Sequence, residues 1–114
     1  MTGPAAPSVR TVHGEGYTAI EIGGYLSGAA EQLLTDAFAQ AAAAERLVVC
    51  FAADCFLNSV GIATVLDLVL PRKDQGTDVR VVHESAHFRR VFQIVGLARD
   101  VPVYASQAQA TAGW

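Results

Sequence analysis

The chain has 114 residues, 52% of them hydrophobic and 17% charged, a composition typical of one globular domain rather than a disordered chain. Its formal net charge of -3 argues against binding to a phosphate backbone, because its Lys and Arg residues are scattered apart from the pairs Arg72-Lys73 and Arg89-Arg90. No apolar run approaches the roughly 20 residues that cross a bilayer, and the start lacks a signal-peptide pattern. We therefore expect a cytoplasmic protein that neither binds nucleic acid nor inserts into a membrane.

The first half of the chain alternates strand and helix signals. Ser8–His13 and Tyr17–Ile22 are short β-rich runs, and the glycine-rich turn between them predicts an antiparallel hairpin. An Ala-rich segment from Ala29 to about Arg46 has apolar residues at helical spacing and predicts one amphipathic helix. The continuous apolar run Leu47–Phe51 is typical of a central strand that is covered on both faces.

The alternation continues in the second half of the chain. The apolar spacing predicts a second helix from Ser59 to about Leu70, with Pro71 as its stop, and then a strand over Val79–Val82.

A third helix is predicted from Ser85, its N-cap, to Val95, and Gly96 is predicted to end it. The run Val101–Tyr104 predicts a last short strand.

This order of elements predicts an α/β fold. The sheet is expected to be mixed and to have about five strands, with an antiparallel first pair, parallel crossovers and helices packed on it. We expect a single domain over residues 8–106, flanked by flexible tails over 1–7 and 107–114.

A small hydroxyl lies where the central strand gives way to the second helix. In open α/β sheets, functional residues gather at the carboxyl ends of the strands, and the loop before Ser59 lies at such an end. Two interpretations are open. Asn58 or Ser59 is an N-cap that stabilises the helix, or Ser59 accepts a phosphate that would lie beside unpaired amides and the positive end of the helix dipole.

The segment from His83 to His87 matches the zinc-protease pattern H-E-x-x-H, in which two His on one helix face bind the metal. We expect no metal site here, because His83 directly follows a predicted strand and Ser85 is the predicted N-cap between the two His. No His or Glu follows His87 to provide a third ligand.

The cysteines and the loops give no sign of an enzyme either. Cys50 and Cys55 have four residues between them and form no CxxC motif, so we expect free thiols. No loop carries a cluster of acids and bases. We therefore predict a non-enzymatic protein with no catalytic residues, metal or cofactor.

Two segments carry a resemblance to a known family. The first is Phe56-Leu57-Asn58-Ser59-Val60-Gly61-Ile62, similar to the pattern of a strand, a short loop, Asp-Ser-Ser/Thr-Gly-Leu/Ile and an apolar helix. The second is the helix from Ser85 to Leu97 with its terminal Gly-Leu. With both segments in the right order, the chain from about Val9 to Ala105 resembles the STAS domain family, which includes the anti-sigma factor antagonists of bacteria.

The chain departs from the family pattern at three acidic positions. Members that are switched by phosphorylation commonly have Asp before the serine, where this chain has Asn58. The family's Gly-Glu-Leu-Asp motif reads Gly24-Tyr25-Leu26-Ser27 here. These changes remove negative charge that could orient the hydroxyl or contact a kinase, and they also remove repulsion of an incoming phosphate.

The resemblance implies a regulatory protein-binding module. Unmodified antagonists of the family dock onto an anti-sigma factor, often a serine kinase with a histidine-kinase-like ATP-binding fold, and so release a sigma factor. The kinase then phosphorylates the antagonist, here at Ser59, and a serine phosphatase restores binding. The residues that this implies for partner binding are Tyr25, Leu26, Ser27, Leu57, Asn58, Ser59, Val60, Gly61 and Ile62.

The missing acids keep a second interpretation open. The chain is then a STAS subunit of another assembly, such as a stressosome-like scaffold or a lipid-transport complex, in which the serine is not a phosphate switch.

Overall fold

A computed structural model describes residues 5–114, so residues 1–4 of the predicted tail over 1–7 lie outside the described part. In chain order its strands are β1 (Ser8–His13), β2 (Thr18–Gly23), β3 (Tyr25–Leu26), β4 (Arg46–Phe51), β5 (Phe56–Leu57), β6 (Asp78–His83) and β7 (Val103–Tyr104). Its helices are α1 (Glu31–Gln40), α2 (Ser59–Asp74), α3 (Ala86–Ile94), α4 (Leu97–Asp100) and α5 (Gln107–Thr111), with a 3₁₀ turn at Gly28–Ala30 before α1.

The main sheet has five strands in the order β1-β2-β4-β6-β7. The first pair is antiparallel, and β2, β4, β6 and β7 run parallel to one another. The predicted mixed α/β sheet is therefore confirmed. In the central strand β4, Leu47 and Val49 belong to one core and Val48 to a second core on the other face, which explains its continuous apolar sequence.

The two faces of the sheet are covered differently. Helices α1 to α4 pack on one face and enclose the larger core, while α5 covers part of the other. There Ala110 is fully buried against Val48 and Val82. Trp114 donates a hydrogen bond from Nε1 to Asp78 at 2.9 Å, and the Arg80 guanidinium lies 4.3 Å from the centre of its ring. The segment 107–114, expected to be a flexible tail, instead has a packed position on the sheet.

Helix α1 is shorter than predicted: it ends at Gln40 rather than near Arg46. The Arg72 side chain donates hydrogen bonds to the carbonyls of Ala41 and Ala44, at 3.0 and 3.1 Å. These bonds give partners to carbonyls that lie beyond the last turn of α1.

Helix α2 is longer than predicted, since Pro71 lies inside it rather than at its end. A proline removes one hydrogen-bond donor and crowds the preceding turn. Here the helix continues for one more turn, and the N–H of Gln75 bonds to the Pro71 carbonyl at 3.0 Å. Arg72, anchored on the end of α1, helps hold that last turn in place.

The segment after α3 also differs from the prediction. Gly96 has a φ of 88° and ends α3 as predicted, but the short helix α4 follows it directly. The last strand consequently begins at Val103 rather than Val101. In residues 5–114, no helix combines the length and the apolar character that crossing a membrane requires.

Candidate functional site: a serine at the start of a helix

Ser59 is the first residue of α2, and its side chain is exposed. The residue that caps the helix is Asn58, whose Oδ1 accepts a hydrogen bond from the Gly61 N–H at 2.8 Å. Of the two candidates for the cap, the structure therefore selects Asn58. Because Asn58 does the capping, the Ser59 hydroxyl is left facing solvent at the positive end of the helix dipole.

The start of α2 lies directly on the backbone of β3. A Cβ atom placed on Gly61 would come within 2.4 Å of the Leu26 carbonyl oxygen, so only glycine fits this approach. The N–H of Asn58 also bonds to the Leu26 carbonyl, at 3.1 Å. The loop before Ser59 is therefore fixed to β3 by backbone contacts.

A small two-stranded sheet completes this frame. Strand β3 pairs with β5 in parallel, with Tyr25 beside Phe56 and Leu26 beside Leu57. Gly24, with a φ of 79°, makes the turn from β2 into β3, and a Cβ there would lie 2.2 Å from the Ala6 carbonyl oxygen. The short sheet thus brings the segment around Tyr25 next to the serine loop.

The residues predicted to bind a partner divide into a surface group and a supporting group. Ser59 and Val60 are exposed, whereas Leu26, Leu57 and Gly61 are buried beneath them. The half-buried members between the two groups are Tyr25, Ser27, Asn58 and Ile62. The structure brings all of them together at one corner, where only the exposed and half-buried residues are accessible from outside.

Phe56 is a surface residue of this corner that the sequence analysis did not single out. It is 54% exposed, and its ring lies 5.7 Å from that of Tyr25 and 5.3 Å from that of Phe88. A large aromatic residue immediately before the serine motif is a signal that could have identified it. Its two aromatic neighbours hold the exposed ring in place.

His83 supports the same loop from the interior. It is fully buried, Nδ1 accepts the Ser85 N–H at 3.0 Å, and Nε2 lies 3.0 Å from the Cys55 carbonyl oxygen. Because Nδ1 is an acceptor, the proton of the neutral ring is on Nε2. Burial lowers the pKa of His83 despite the opposing effect of the Cys55 carbonyl.

The H-E-x-x-H segment is not arranged as a zinc site. His83 ends β6 and stacks on Phe51, whereas His87 lies exposed on α3, with the N-cap Ser85 between them as predicted. Within residues 5–114, no three His, Cys, Asp or Glu side chains are grouped closely enough to hold a metal ion.

The two cysteines are free thiols on different sides of the sheet. Burial, aided by Glu21 for Cys50 and by Asp54 for Cys55, raises the pKa of each thiol to about 12. Neither thiol is therefore activated as a nucleophile at neutral pH.

The fold and the site define a small α/β domain that presents a serine hydroxyl on a rigid backbone frame at the start of a helix. A protein-family model described as "STAS domain" matches residues 7–110, and the chain belongs to that family. Its fold is similar to the crystal structure of an anti-sigma factor antagonist from Mycobacterium paratuberculosis, with a TM-score of 0.83 and 20% sequence identity. The similarity covers 98% of this chain and 97% of that one. No curated protein sequence matches the chain significantly.

Proposed function

We propose that this protein is an anti-sigma factor antagonist that binds an anti-sigma factor through the corner around Ser59 and is released by phosphorylation of that serine. The observation that carries the proposal is the exposed Ser59 hydroxyl at the start of α2, next to the exposed Val60. The structural likeness to the anti-sigma factor antagonist from Mycobacterium paratuberculosis supports it. In this role the protein binds its partner without catalysing a reaction, and it acts in the cytoplasm.

The geometry explains how a phosphate would act as a switch. Phosphorylation adds about -1.5 to -2 charges, and the first amides of α2 would stabilise the phosphate locally. The frame of β3, β5 and α2 is held by backbone contacts, so the modification changes the charge of the surface more than its shape. An interface that fits the neutral corner then loses affinity through repulsion and desolvation.

The proposal is tested with the purified serine-kinase anti-sigma factors of the source organism. Wild-type protein is expected to accept one phosphate from one of these kinases and ATP, and Ser59→Ala none. Ser106→Ala, which removes the N-cap hydroxyl of α5 on the other face of the sheet, is the control and is expected to accept phosphate as the wild type does. Phosphopeptide mass spectrometry identifies the modified residue, and a phosphate at another serine would contradict the switch.

Calorimetry measures the consequence for binding. Ser59→Ala is expected to bind the anti-sigma factor as the wild type does, and Ser59→Asp to lose measurable affinity because it introduces a charge at the centre of the interface. Equal affinities for the two variants would refute the phosphate switch.

Three residues of this chain favour the second candidate, a STAS subunit of a scaffold or lipid-transport complex. Asn58, Tyr25 and Ser27 stand where switched relatives commonly have acids. Asn58 directly precedes Ser59, and the strand that contains Tyr25 pairs with β5 just before it. Binding without phosphorylation by any of the kinases would support this candidate.

A further inference from the structure

Acidic residues are absent from the three chain segments that surround Ser59. Residues 24–30, 55–66 and 85–96 contain no Asp or Glu, and their only formally charged residues are Arg89 and Arg90. All 11 acidic residues lie elsewhere in the sequence, although the chain as a whole is negative. Negative charge is therefore confined to the rest of the molecule.

The three segments meet in space. Strand β3 pairs with β5, the Val60 side chain lies close to Gly28, and the Phe88 ring at the start of α3 packs edge-on against Phe56. We call the outer surface of these three segments the acid-free face. It includes Ser59 and extends beyond it to the start of α3.

Two of the four acids that adjoin these segments in the chain line a groove elsewhere on the molecule. Asp54 and Glu84 line a groove of about 690 Å³ beside α5, together with Glu21. The Glu84 carboxylate accepts the Ala53 N–H at 2.9 Å, and Glu21 is paired with Arg10. The other two adjoining acids mark where the segments end. Glu31 is the first residue of α1, and Asp67 lies well inside α2.

Ile94 is the most exposed apolar residue of the acid-free face, at 73%, and Phe56 is its exposed aromatic residue. Phe56 is 54% exposed, and Val60, four residues later in the chain, is 49% exposed. The Tyr25 and Phe88 rings already restrain Phe56, so a partner would bury it at little cost in side-chain entropy. Exposed, preorganised aromatic residues of this kind are frequent energetic hot spots of interfaces.

The two arginines have different positions. Arg89 is half-buried, and its guanidinium donates a hydrogen bond to the His83 carbonyl at 2.8 Å. Arg90 is exposed on α3, three residues after the exposed His87 and so on the same side of the helix. Arg90 is therefore the charge that this face offers to a partner.

We infer that the acid-free face docks a protein partner that has an apolar pocket for Phe56 and carboxylates on the rim of that pocket facing Arg90. This inference rests on the proposed function, which makes the partner the anti-sigma factor. The rest of the molecule carries all 11 acids and six of the eight Lys and Arg, so it is net negative, whereas this face is net positive and is favoured by a partner with carboxylates. A phosphate on Ser59 would then meet the partner's carboxylates.

The role of Phe56 as the anchor of the interface is tested by isothermal titration calorimetry. The titrant is the purified anti-sigma factor that binds the wild type. Phe56→Ala is expected to weaken binding about 30-fold, as for a hot-spot residue. Leu33→Ala is the matched control, because Leu33 is 44% exposed on α1, outside the face, and its change is expected to stay below about twofold. Circular dichroism and thermal melting establish that both variants are folded.

The charge is tested separately by a matched pair of reversals. Arg90→Glu is expected to weaken binding about tenfold at low salt and to flatten the dependence of affinity on NaCl concentration. Arg46→Glu makes the same change in net charge at the start of β4, the end of the sheet opposite to Ser59, and is expected to leave both quantities unchanged.

Several results would overturn the inference. Wild-type affinity of Phe56→Ala would refute the anchor while leaving the proposed function intact, whereas the lack of any wild-type complex would overturn both. Phe56-dependent binding to phosphatidylserine vesicles would assign the face to a membrane instead. A wild-type dimer in sedimentation that Phe56→Ala dissociates would assign it to a second copy of this chain.

Discussion

At the scale of single residues, His83 joins the sheet to the loop that leads to Ser59. Its ring bonds to the backbone at Ser85 and at Cys55, and the aromatic rings of Phe51 and Phe88 stack on it. Every polar position of the neutral ring is occupied, and protonation of Nδ1 would break the bond from Ser85. A buried imidazole in this setting contributes to stability only in its neutral form.

This arrangement predicts a pH-dependent stability. Burial lowers the pKa of His83 below its ordinary value of 6.5, so near and below that pH the unfolded chain binds a proton that the native chain does not. The free energy of unfolding is therefore expected to fall as the pH is lowered from about 7 to 5, with this residue contributing at most about 1.4 kcal/mol per pH unit. Urea unfolding across that range measures it.

Two variants isolate the contribution of His83. His83→Gln is expected to be less stable at pH 7 and to show a smaller slope of stability against pH, because the titrating group is gone. His83→Asn removes the same titrating group and is expected to show the same reduced slope. Parallel pH profiles for the wild type and His83→Gln would show that another group is responsible.

At the scale of elements, the approach of α2 to β3 positions the candidate site. The contact is made between backbones at Gly61 and Leu26, and no side chain lies between them that could adjust. The position of the Ser59 hydroxyl relative to β3 is therefore fixed by how closely the helix meets the strand.

Gly61→Ala is expected to lower the free energy of unfolding by about 1–2 kcal/mol. Overpacking of the added Cβ against Leu26 destabilises the protein, and the higher helix propensity of Ala offsets part of that loss. Gly28→Ala is the control, since its added Cβ would lie 3.4 Å from Val60 in ordinary contact. We expect Gly28→Ala to stay within about 0.5 kcal/mol of the wild type in urea unfolding. A Gly61→Ala variant as stable as the wild type would contradict the close approach.

The order of the main elements could be predicted from the sequence because apolar periodicity marks each of them. Periodicity does not mark β3 and β5, whose two-residue strands are too short for a pattern and depend on contacts between distant parts of the chain. The continuation of α2 through Pro71 depends in the same way on Arg72, which bonds to the end of α1. Asn58, Ser59 and Gly61 were recognisable from local sequence, whereas the exposure of Phe56 required the packing around it.

At the scale of the whole molecule, the candidate site and the C-terminal segment lie on opposite faces of the sheet. The face that carries α1 to α4 also carries the corner around Ser59, and the other face is closed in part by the C-terminal segment. Ala110 lies against the sheet there, whereas Ala108 in the same helix is exposed. The segment 107–114 thus stabilises the domain from the side opposite to the candidate site.

Two substitutions in α5 test this role. Ala110→Asp would bury a carboxylate against Val48 and Val82 and is expected to detach α5, which lowers the stability by about 2 kcal/mol. Ala108→Asp places the same charge in solvent and is expected to have little effect. Thermal melting compares the two, and equal melting temperatures would show that α5 contributes nothing to the fold. Both variants are expected to bind the anti-sigma factor with wild-type affinity.

The chain contains a single tryptophan, and it is Trp114, packed between Tyr17 and Arg80 on that opposite face. Its fluorescence therefore reports on the attachment of the C-terminal segment and on global unfolding, at a distance from events at Ser59. A tryptophan-free partner titrated onto the Ser59 corner should leave the emission maximum in place, while denaturant should shift it to longer wavelength. In every variant that retains Trp114, its emission maximum therefore distinguishes loss of binding from loss of structure.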